Sequence, residues 1–371
     1  MTETHPSPLK VLHVINTLSP AGAEKLVADM LPLFNERRLS ADLLLLNGQS
    51  TWLLEELRAH SCCSIYDLGS KGIYNPINIV RLANFVRRYE VVHAHLFPSF
   101  YYVALARLLV STRTKLVVTE HCTSNRRMAS ALFKKIDRKL YSLYDSIICL
   151  NPEVHRVLLA HTRLPPTRFH VVSNGVNLNE YRHALAIDRS AIDASLAATD
   201  KLLIQVSAFR NQKDQLTLIR AVQNLPTNVK LLLVGDGPEK NKCEAAVMSL
   251  NLGNRVFFLG VRADVPRLLK SCDVVVLSTH YEGFSLASIE GMASGRPFVG
   301  SDVPGLSEFV RGAGLLFPEG DHHALSETII GLLRDSDHYR QVSDACEERA
   351  AEFDIVKTVN GYVDVYESLS G

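Results

Sequence analysis

The sequence of 371 residues lacks the long apolar runs of membrane-spanning proteins. A helix that crosses a bilayer needs about 18 or more consecutive apolar residues, and no stretch approaches that length. The first residues, Met-Thr-Glu-Thr-His-Pro-Ser-Pro, show no signal-peptide pattern. We therefore expect a cytosolic protein that does not span a membrane.

Cysteine is infrequent and is not spaced for zinc binding. The seven cysteines, an odd number, stand at positions 62, 63, 122, 149, 243, 272 and 346. Several lie in apolar runs, as Cys149 does, which is typical of buried, reduced thiols in a reducing compartment. No spacing among them matches a zinc site.

The glycine fingerprint of dinucleotide-binding enzymes is also missing. The first predicted strand, residues 10–15, leads through the loop 16–22 into a helix without the sequence G-x-G-x-x-G. A dehydrogenase is therefore disfavoured. Gly22 permits close backbone approach at the helix start, and Glu24 lies in the first turn. A plain turn from strand to helix is the alternative.

The net charge of +1 conceals a difference between the two halves of the chain. Residues 1–172 carry a net charge of +8, and the remaining residues carry −7. This asymmetry predicts an anionic partner for the first half. Nucleic acid is not favoured as that partner, because no aromatic platform or zinc-finger spacing accompanies the charge.

Predicted strands alternate with helical stretches along most of the chain. The strands are 10–15, 41–46, 63–67, 90–95, 115–120, 145–150, 169–173, 201–206, 229–234, 255–260 and 274–277. This alternation predicts an α/β protein with doubly wound parallel sheets. Because the chain exceeds the length of a usual single domain, we expect two.

The most informative stretch is 273–300. Val274–Leu277 is an apolar run typical of a buried parallel strand, and Ser285 is a good N-cap for a helix that begins at Leu286. The loop between them follows the carboxyl end of the strand, where open α/β sheets bind ligands. The amides of Phe284, Ser285 and Leu286 should form an anion site at the positive end of the helix dipole.

Two carboxylates frame this predicted anion site. Glu282 precedes the helix, and Glu290 lies about one turn inside it. Phosphate at the amides, one sugar beside Glu282 and another beside Glu290 would match the layout of a nucleotide sugar. A surface helix with a solvated glutamate at each end is the alternative for this spacing alone.

The run from Glu282 to Glu290, Glu-Gly-Phe-Ser-Leu-Ala-Ser-Ile-Glu, resembles the E-x7-E signature of the retaining glycosyltransferases of family 4. The resemblance covers nearly the whole chain and is strongest from 201 to 320. It implies the GT-B fold, in which two Rossmann-like domains face a cleft. It also implies a hexosyltransferase that moves a sugar from a nucleoside-diphosphate sugar to a glycan or lipid-linked acceptor with retention, as in bacterial polysaccharide and glycolipid synthesis.

The resemblance assigns roles to individual residues. His121 and Glu282 would act on the transferred sugar, and Arg210 and Lys213 on the diphosphate. Arg210 stands two positions later than the arginine of many members, where this chain has Ala208. The residues assigned to donor binding are Gly22, Gly235, Gly283, Phe284, Ser285, Leu286 and Glu290. Solvated surface charge remains the alternative for Arg210 and Lys213, and a simple turn for Gly235. His93 and His95 are interpreted as ordinary strand histidines.

The resemblance and the strand pattern together predict the domain bounds. Residues 1–173 form the acceptor-side domain, 174–200 a linker, and 201–353 the domain that binds the nucleotide sugar. Residues 354–371 form a last helix that crosses back to the first domain, with an apolar stripe at 355, 356, 359, 363, 366 and 369.

Two other functions remain open, namely a sugar-nucleotide 2-epimerase of the same fold and a non-catalytic subunit that binds the nucleotide sugar. No metal and no other cofactor is expected. The sequence Asp335-Ser-Asp337 copies a metal-binding D-x-D, but it lies in a polar helical junction. The identities of nucleotide, sugar, acceptor and linkage depend on loop shapes that these patterns do not define.

Six basic residues fall within 14 positions of the first half, namely Arg126, Arg127, Lys134, Lys135, Arg138 and Lys139. The last four share one face of a predicted helix over 131–144. We expect this face to contact anionic lipid headgroups, which would place the protein peripherally at the inner face of a membrane. A solvated helix face is the alternative.

Overall fold

The computed structural model describes residues 8–37, 39–69, 72–121 and 130–370. Contacts divide the chain into two compact units. The first consists of Met1–Gly175 together with Ile355–Gly371, and the second of Val176–Asp354.

Within the described residues, the first unit contains one parallel sheet. Its strands are β1 (Leu9–Ile15), β2 (Leu39–Leu45), β3 (Ile65–Asp67), β4 (Val91–His95), β5 (Lys115–Glu120), β6 (Ser146–Cys149) and β7 (Phe169–Val171). They pair in the order β3-β2-β1-β4-β5-β6-β7, so the direction of the strand order changes between β1 and β4. Most strand residues are buried on both faces, as expected where helices cover both sides of a parallel sheet.

The second unit contains a second parallel sheet, again counted over the residues that the structure describes. Its strands are β8 (Lys201–Val206), β9 (Val229–Val234), β10 (Val256–Gly260), β11 (Val274–Leu277), β12 (Phe298–Ser301) and β13 (Leu315–Phe317). The order β10-β9-β8-β11-β12-β13 changes direction between β8 and β11. Ligands of such sheets bind at the carboxyl ends of the strands beside this change.

Helices connect the strands in both units. They are α1 (Gly22–Asn35), α2 (Trp52–His60), α3 (Ile77–Val86), α4 (Ser99–Leu108), α5 (Ala131–Tyr141), α6 (Pro152–Thr162), α7 (Leu178–Arg182), α8 (Arg189–Ile192), α9 (Gln215–Val222), α10 (Lys240–Ser249), α11 (Val265–Ser271), α12 (Leu286–Ala293), α13 (Ser307–Val310), α14 (His322–Arg334), α15 (Ser336–Ala351) and α16 (Ile355–Ser370). None of the described helices has the length and hydropathy that a bilayer crossing requires.

The alternation of parallel strands and helices confirms the predicted α/β fold with two doubly wound sheets. The segment 174–200, predicted as a linker, belongs to the second unit from Val176 onward. Val176, Leu178 and Tyr181 are buried in the core of that unit, and the Val176 amide donates to the carbonyl of Phe353 over 2.9 Å. These three residues of the predicted linker are therefore core residues of the second unit.

The last helix, α16, belongs to the first unit. Its buried face differs from the predicted stripe, because Val356 is 40% exposed whereas Tyr362 is fully buried. The Tyr362 hydroxyl lies 3.2 Å from the Thr119 hydroxyl, and the Tyr366 hydroxyl lies 2.6 Å from Nδ1 of His93. Tyr366 belongs to the predicted stripe and Tyr362 does not, yet both pack as core residues whose hydroxyls have partners.

Candidate functional site

The candidate site of the second unit lies where β8 and β11 end side by side. The loop 207–214 follows β8, and the loop 278–285 follows β11. The Asp214 amide donates to the carbonyl of Ser278 over 3.0 Å, and further bonds join the same two loops. The two loops therefore form one connected edge at the change of strand order.

Lys213 and Glu282 meet at this edge. Nζ of Lys213 donates to Oε1 of Glu282, and the two side chains are only 15% and 6% exposed. The sequence placed Lys213 on a diphosphate and Glu282 on a sugar, and it did not predict that they pair. Each partner compensates a charge whose burial would otherwise cost several kcal/mol. Because an ammonium group has three N–H donors, Lys213 can keep this bond and still donate to an anion.

The start of α12 supplies further donors. Ser285 is its N-cap, as predicted, and its hydroxyl accepts a hydrogen bond from the Ser288 amide over 3.3 Å. Among the described residues, no group accepts from the amides of Phe284, Ser285 and Leu286. Such unsatisfied amides are the donors that a helix N-terminus offers to an anion. Glu290 is half-buried about one turn further along the helix.

Arg210 and Gly235 lie on loops of the same edge. Arg210 is exposed, and no described side chain pairs with its guanidinium. Gly235 has a φ of +133°, and a Cβ there would overlap the carbonyl group of Ser207. Its glycine is thus explained by close packing of the loops after β8 and β9, which favours the turn interpretation. A contact of Gly235 with a donor stays a prediction.

Gly305 supports the loop that carries Glu282. Its φ is +79°, and an added Cβ would overlap the backbone carbonyl of Glu282. The Glu282 amide donates to the carbonyl of Pro304 over 3.1 Å, and the Gly305 amide donates to Oε2 of Glu308 over 2.9 Å. The 302–308 loop therefore fixes the backbone of Glu282 from behind.

In the first unit, His121 directly follows β5 and is linked to two histidines on neighbouring strands. Nε2 of His121 lies 3.3 Å from Nδ1 of His95 at the end of β4. Nε2 of His95 lies 3.0 Å from Nδ1 of His13 on β1. His13 and His95 are fully buried, whereas His121 is half-buried. The three rings follow the carboxyl edge of the first sheet beside its change of strand order.

A fourth histidine, His93, packs beside this row but has other partners. Its Nε2 lies 2.8 Å from the Thr119 hydroxyl, and its Nδ1 is bonded to Tyr366. His93 and His95 are residues of β4, as the sequence interpretation had it, and both are bonded through their rings in the core.

Burial keeps all four histidines neutral near pH 7. It lowers the pKa of His13 to about 3 and the pKa of His121 to about 4. The pKa values of His93 and His95 are also well below the ordinary value, first through burial and then through repulsion by the neighbouring histidines. A neutral imidazole has one donor nitrogen and one acceptor nitrogen.

The structure also shows where Gly22 and the D-x-D sequence lie. Gly22 is the first residue of α1, after Ala21 in extended conformation. Asp335 caps α15 by accepting from the amides of Asp337 and His338, each over 3.0 Å. The D-x-D sequence thus lies at the start of a helix, where Asp335 is the N-cap. Arg126, Arg127 and Cys122 lie outside the described residues.

The predicted basic helix is α5, and its charges are unevenly exposed. Lys135 and Lys139 are exposed, while Lys134 and Arg138 are half-buried. The ring of Phe133, on the same helix, is 39% exposed. On the buried side, Oδ2 of Asp137 pairs with Nε2 of His161 over 2.8 Å.

Sequence reasoning missed His13 and undervalued Gly305. His13 lies within an apolar strand, and only its partners on β4 give it significance. Gly305 was not singled out from the sequence, because its contact with Glu282 joins two segments that are separated along the chain.

Two family models match the chain, and together they span most of it. The model of "Glycosyltransferase Family 4" matches residues 20–180, and that of "Glycosyl transferases group 1" matches residues 188–349. The first match lies within the first unit except at its end, and the second lies within the second unit.

Relatives and solved structures are similar over nearly the same span. The N-acetyl-alpha-D-glucosaminyl L-malate synthase of Bacillus anthracis is 29% identical over 75% of this chain and 74% of its own length. The N-acetylgalactosamine-N,N'-diacetylbacillosaminyl-diphospho-undecaprenol 4-alpha-N-acetylgalactosaminyltransferase of Campylobacter jejuni is 25% identical over 92% and 95%. The crystal structure of HepE from Anabaena with UDP and glucose superimposes with a TM-score of 0.82 at 22% identity, covering 97% of this chain and 100% of HepE.

Proposed function

The chain belongs to glycosyltransferase family 4, and from this we propose that it transfers a sugar from a nucleoside-diphosphate sugar with retention of the anomeric configuration. The observation that carries the proposal is the edge between β8 and β11. There a largely buried Lys213 and Glu282 lie on connected loops, and α12, which begins beside them, contributes its first amides and Glu290. This combination suits an anionic group with hydroxylated groups on either side.

In the proposed complex, the diphosphate lies against the amides of Phe284, Ser285 and Leu286. Lys213 and Arg210 add positive charge, which stabilises the negative charge that develops on the departing diphosphate. Glu290 accepts hydrogen bonds from the ribose, and Glu282 accepts from the transferred sugar. Gly22, Gly235 and Gly283 provide close backbone approach to the donor.

In the ion pair of Lys213 with Glu282, the ammonium group and the carboxylate compensate each other's charge where both side chains are largely buried. A bound diphosphate shares the ammonium group with Glu282. The carboxylate is then held by Lys213 at one oxygen and has its second oxygen for a sugar hydroxyl.

The transfer step follows from the absence of an evident nucleophile in the E-x7-E segment. The bond from the anomeric carbon to the phosphate oxygen breaks first, and the acceptor hydroxyl attacks the oxocarbenium-like sugar from the same face. The acceptor proton passes to an oxygen of the departing diphosphate. His121 contacts the transferred sugar, as the resemblance implies. Because lysine, arginine and amides carry the positive charge, we propose that no metal or other cofactor takes part.

Binding of nucleotides to the full chain tests the donor assignment. UDP, GDP, ADP and their sugars are compared by thermal shift, because a ligand at 100 times its Kd stabilises by about 2.7 kcal/mol. HepE was solved with UDP and glucose, so UDP-glucose is the first donor to test. Lys213→Gln should weaken binding of the chosen nucleoside diphosphate by roughly 1.5–3 kcal/mol, whereas binding of the bare nucleoside stays the same.

Lys201 offers a matched control for Lys213. It is the first residue of β8, at the strand end opposite the site, and its Nζ lies 3.2 Å from Oδ1 of Asp273. Lys201→Gln removes the same charge from the same unit and should leave diphosphate binding unchanged. Equal binding by wild type and Lys213→Gln would contradict the placement of the diphosphate.

Product analysis separates transfer from the alternatives. NMR of the anomeric proton should show the donor configuration in a product that forms only when an acceptor is present. An inverted product contradicts retention. Conversion of the donor sugar without acceptor would indicate an epimerase, and donor binding without turnover would indicate a binding subunit.

We further propose an acceptor that is a glycan or is carried on a lipid. The Campylobacter relative is named for a diphospho-undecaprenol acceptor, and the Bacillus relative for L-malate. The lipid alternative is supported by the α5 surface, defined here as Phe133, Lys134, Lys135, Arg138 and Lys139. An exposed aromatic ring among basic side chains suits an anionic bilayer, where each basic residue contributes about 1 kcal/mol.

Sedimentation with liposomes tests the α5 surface. A variant with Lys134, Lys135, Arg138 and Lys139 changed to Gln should lose at least tenfold in affinity for anionic vesicles at low salt. The control changes four exposed arginines elsewhere in the unit to Gln, namely Arg87, Arg88, Arg113 and Arg163. Equal losses would show a general charge effect, and binding that ignores lipid charge would favour a non-lipid acceptor.

A further inference from the structure

The row of His13, His95 and His121 has a geometry that restricts where its protons lie. The ring planes of His13 and His95 are within 10° of parallel, and their centroids are 5.3 Å apart. Their facing nitrogens are only 3.0 Å apart, so the rings meet edge to edge in a hydrogen bond. His95 and His121 are also joined through facing nitrogens, which are 3.3 Å apart, but their ring planes are tilted by 44° and their centroids are 5.6 Å apart.

Each contact needs one protonated and one bare nitrogen, and each neutral ring has one proton. If Nδ1 of His13 carries the proton, it donates to Nε2 of His95. The proton of His95 is then on Nδ1 and is donated to Nε2 of His121, whose own proton is therefore on Nδ1. If Nε2 of His13 carries the proton, every ring is protonated on Nε2. The three tautomers are thus linked.

The inner end of the row decides between the two arrangements. Nε2 of His13 is buried, and no described atom bonds to it. Protonation there would bury an N–H group without an acceptor, which native proteins rarely tolerate. A bare nitrogen at the same place leaves only a lone pair unused. The arrangement with every proton on Nδ1 therefore avoids the orphaned donor.

We propose that His13 and His95 are positioning residues that hold His121 in the Nδ1–H tautomer, so that it offers a hydrogen-bond donor to substrate. No described residue bonds to Nδ1 of His121. Its Nε2 lone pair is occupied by His95. His121 therefore donates to an oxygen of the substrate and does not accept the proton of the acceptor hydroxyl. The identity of that substrate rests on the proposed function.

A metal ion is a competing use of the same side chains. One ligand atom each from His13, His93 and His95 lies within 4.8 Å of the others. However, both nitrogens of His93 are bonded, to Tyr366 and Thr119, and both nitrogens of His95 are bonded to histidines. Only one nitrogen of the three rings is without a bond, so a metal would have to displace most of this network.

Ring-nitrogen NMR of histidine-labelled full-length protein tests the proposal, since the 15N shift distinguishes N–H from bare nitrogen. The chain has 14 histidines, which single substitutions assign. In wild type, His13, His95 and His121 should all show protonated Nδ1 and bare Nε2. His13→Leu removes the first donor, so the His121 signals should move toward a mixture of tautomers although the two residues are not in contact.

Two further variants separate linkage from general disruption. His13→Asn keeps an amide donor near the position of Nδ1 and should preserve the wild-type pattern. His93→Gln changes a ring that packs 4.1 Å from His95 outside the row, and it should leave the His121 signals in place. If His13→Leu does not fold, the spectra of wild type and His13→Asn still test whether the three tautomers are linked.

A bare Nδ1 on His121, mixed tautomers among the three rings, or an unchanged His121 pattern in folded His13→Leu would each overturn the proposal. Binding of one equivalent of zinc with loss of the Nδ1–H signals would also overturn it and would assign the histidines to a metal site. The spectra need no turnover, so this outcome is independent of the proposed function. Addition of UDP-glucose to the same samples tests that function through the shift of the His121 signals.

Discussion

The buried His13 should make the stability of the first unit depend on pH. Its pKa is about 3 in the folded protein and about 6.5 in the unfolded chain. Between these values the unfolded state binds a proton that the folded state does not, so stability is lost as pH falls below 6.5. At pH 5 this linkage costs about 2 kcal/mol relative to pH 8, and below pH 3 it costs about 5 kcal/mol.

The perturbation is His13→Leu, which removes the titrating ring at nearly constant volume. The substitution destabilises at pH 8 through lost hydrogen bonding, but at pH 5 it also removes the proton linkage. The measured cost should therefore be about 2 kcal/mol smaller at pH 5 than at pH 8. Because pH 5 is well above the folded-state pKa, this difference depends little on the exact value of that pKa.

Urea unfolding followed by tryptophan fluorescence provides the assay. The chain has one tryptophan, Trp52 on α2, which reports on the unit that contains His13. Phe34→Leu is the control, because Phe34 packs 5.1 Å from His13 and has no proton to exchange. Its cost should be the same at both pH values. An equal cost of His13→Leu at pH 5 and pH 8 would refute the reasoning.

Three other predictions concern the second unit. Glu290→Ala should weaken nucleoside-diphosphate binding by roughly 1.5–3 kcal/mol, and unchanged affinity in calorimetry would contradict the ribose contact. Gly305→Ala should lower the transfer rate at least tenfold by displacing the Glu282 backbone, whereas Gly312→Ala, with a similar φ of +81° and no atom within 4 Å of its added Cβ, should not. Transfer should survive EDTA, and activity restored only by a divalent cation would disprove the metal-independent mechanism.

Periodic features of the chain were predictable because they depend on local sequence. The eleven predicted strands correspond to β1–β11 and agree with them within two residues at each end, since each is an apolar run between polar loops, whereas β13 was not predicted. Ser285 was identified as a cap because its side chain bonds an amide three residues away. The strand bounds and the helix cap both depend on residues that are close to one another in the sequence.

Features that depend on distant segments were not predictable in the same way. The bond between Lys213 and Glu282 joins residues 69 positions apart, and that between His13 and His95 joins residues 82 apart. In a parallel sheet, neighbouring strand ends are brought together only by crossover connections. The sequence therefore indicated which loops gather at an edge but not which side chains pair there.

The stretch 174–200 shows a different error. It was predicted as a linker because it shows no strand pattern, yet apolar side chains, among them Leu178 and Tyr181, are buried in the core of the second unit. Burial of one large side chain contributes roughly 1.5–3 kcal/mol, so a few such residues can order a segment whose only helices are the short α7 and α8. The lack of a strand pattern therefore did not mark a linker.

The two candidate regions differ in the kind of electrostatics they provide. The edge between β8 and β11 offers the basic side chains of Lys213 and Arg210 and the unsatisfied amides at the start of α12. The histidine row of the first unit is neutral near pH 7 and offers at its outer end only a directed N–H group. A departing diphosphate requires the former, because its negative charge grows as the bond breaks. A sugar hydroxyl requires only the latter, so under the proposed function a neutral His121 orients the sugar and does not compete for the proton that passes to the diphosphate.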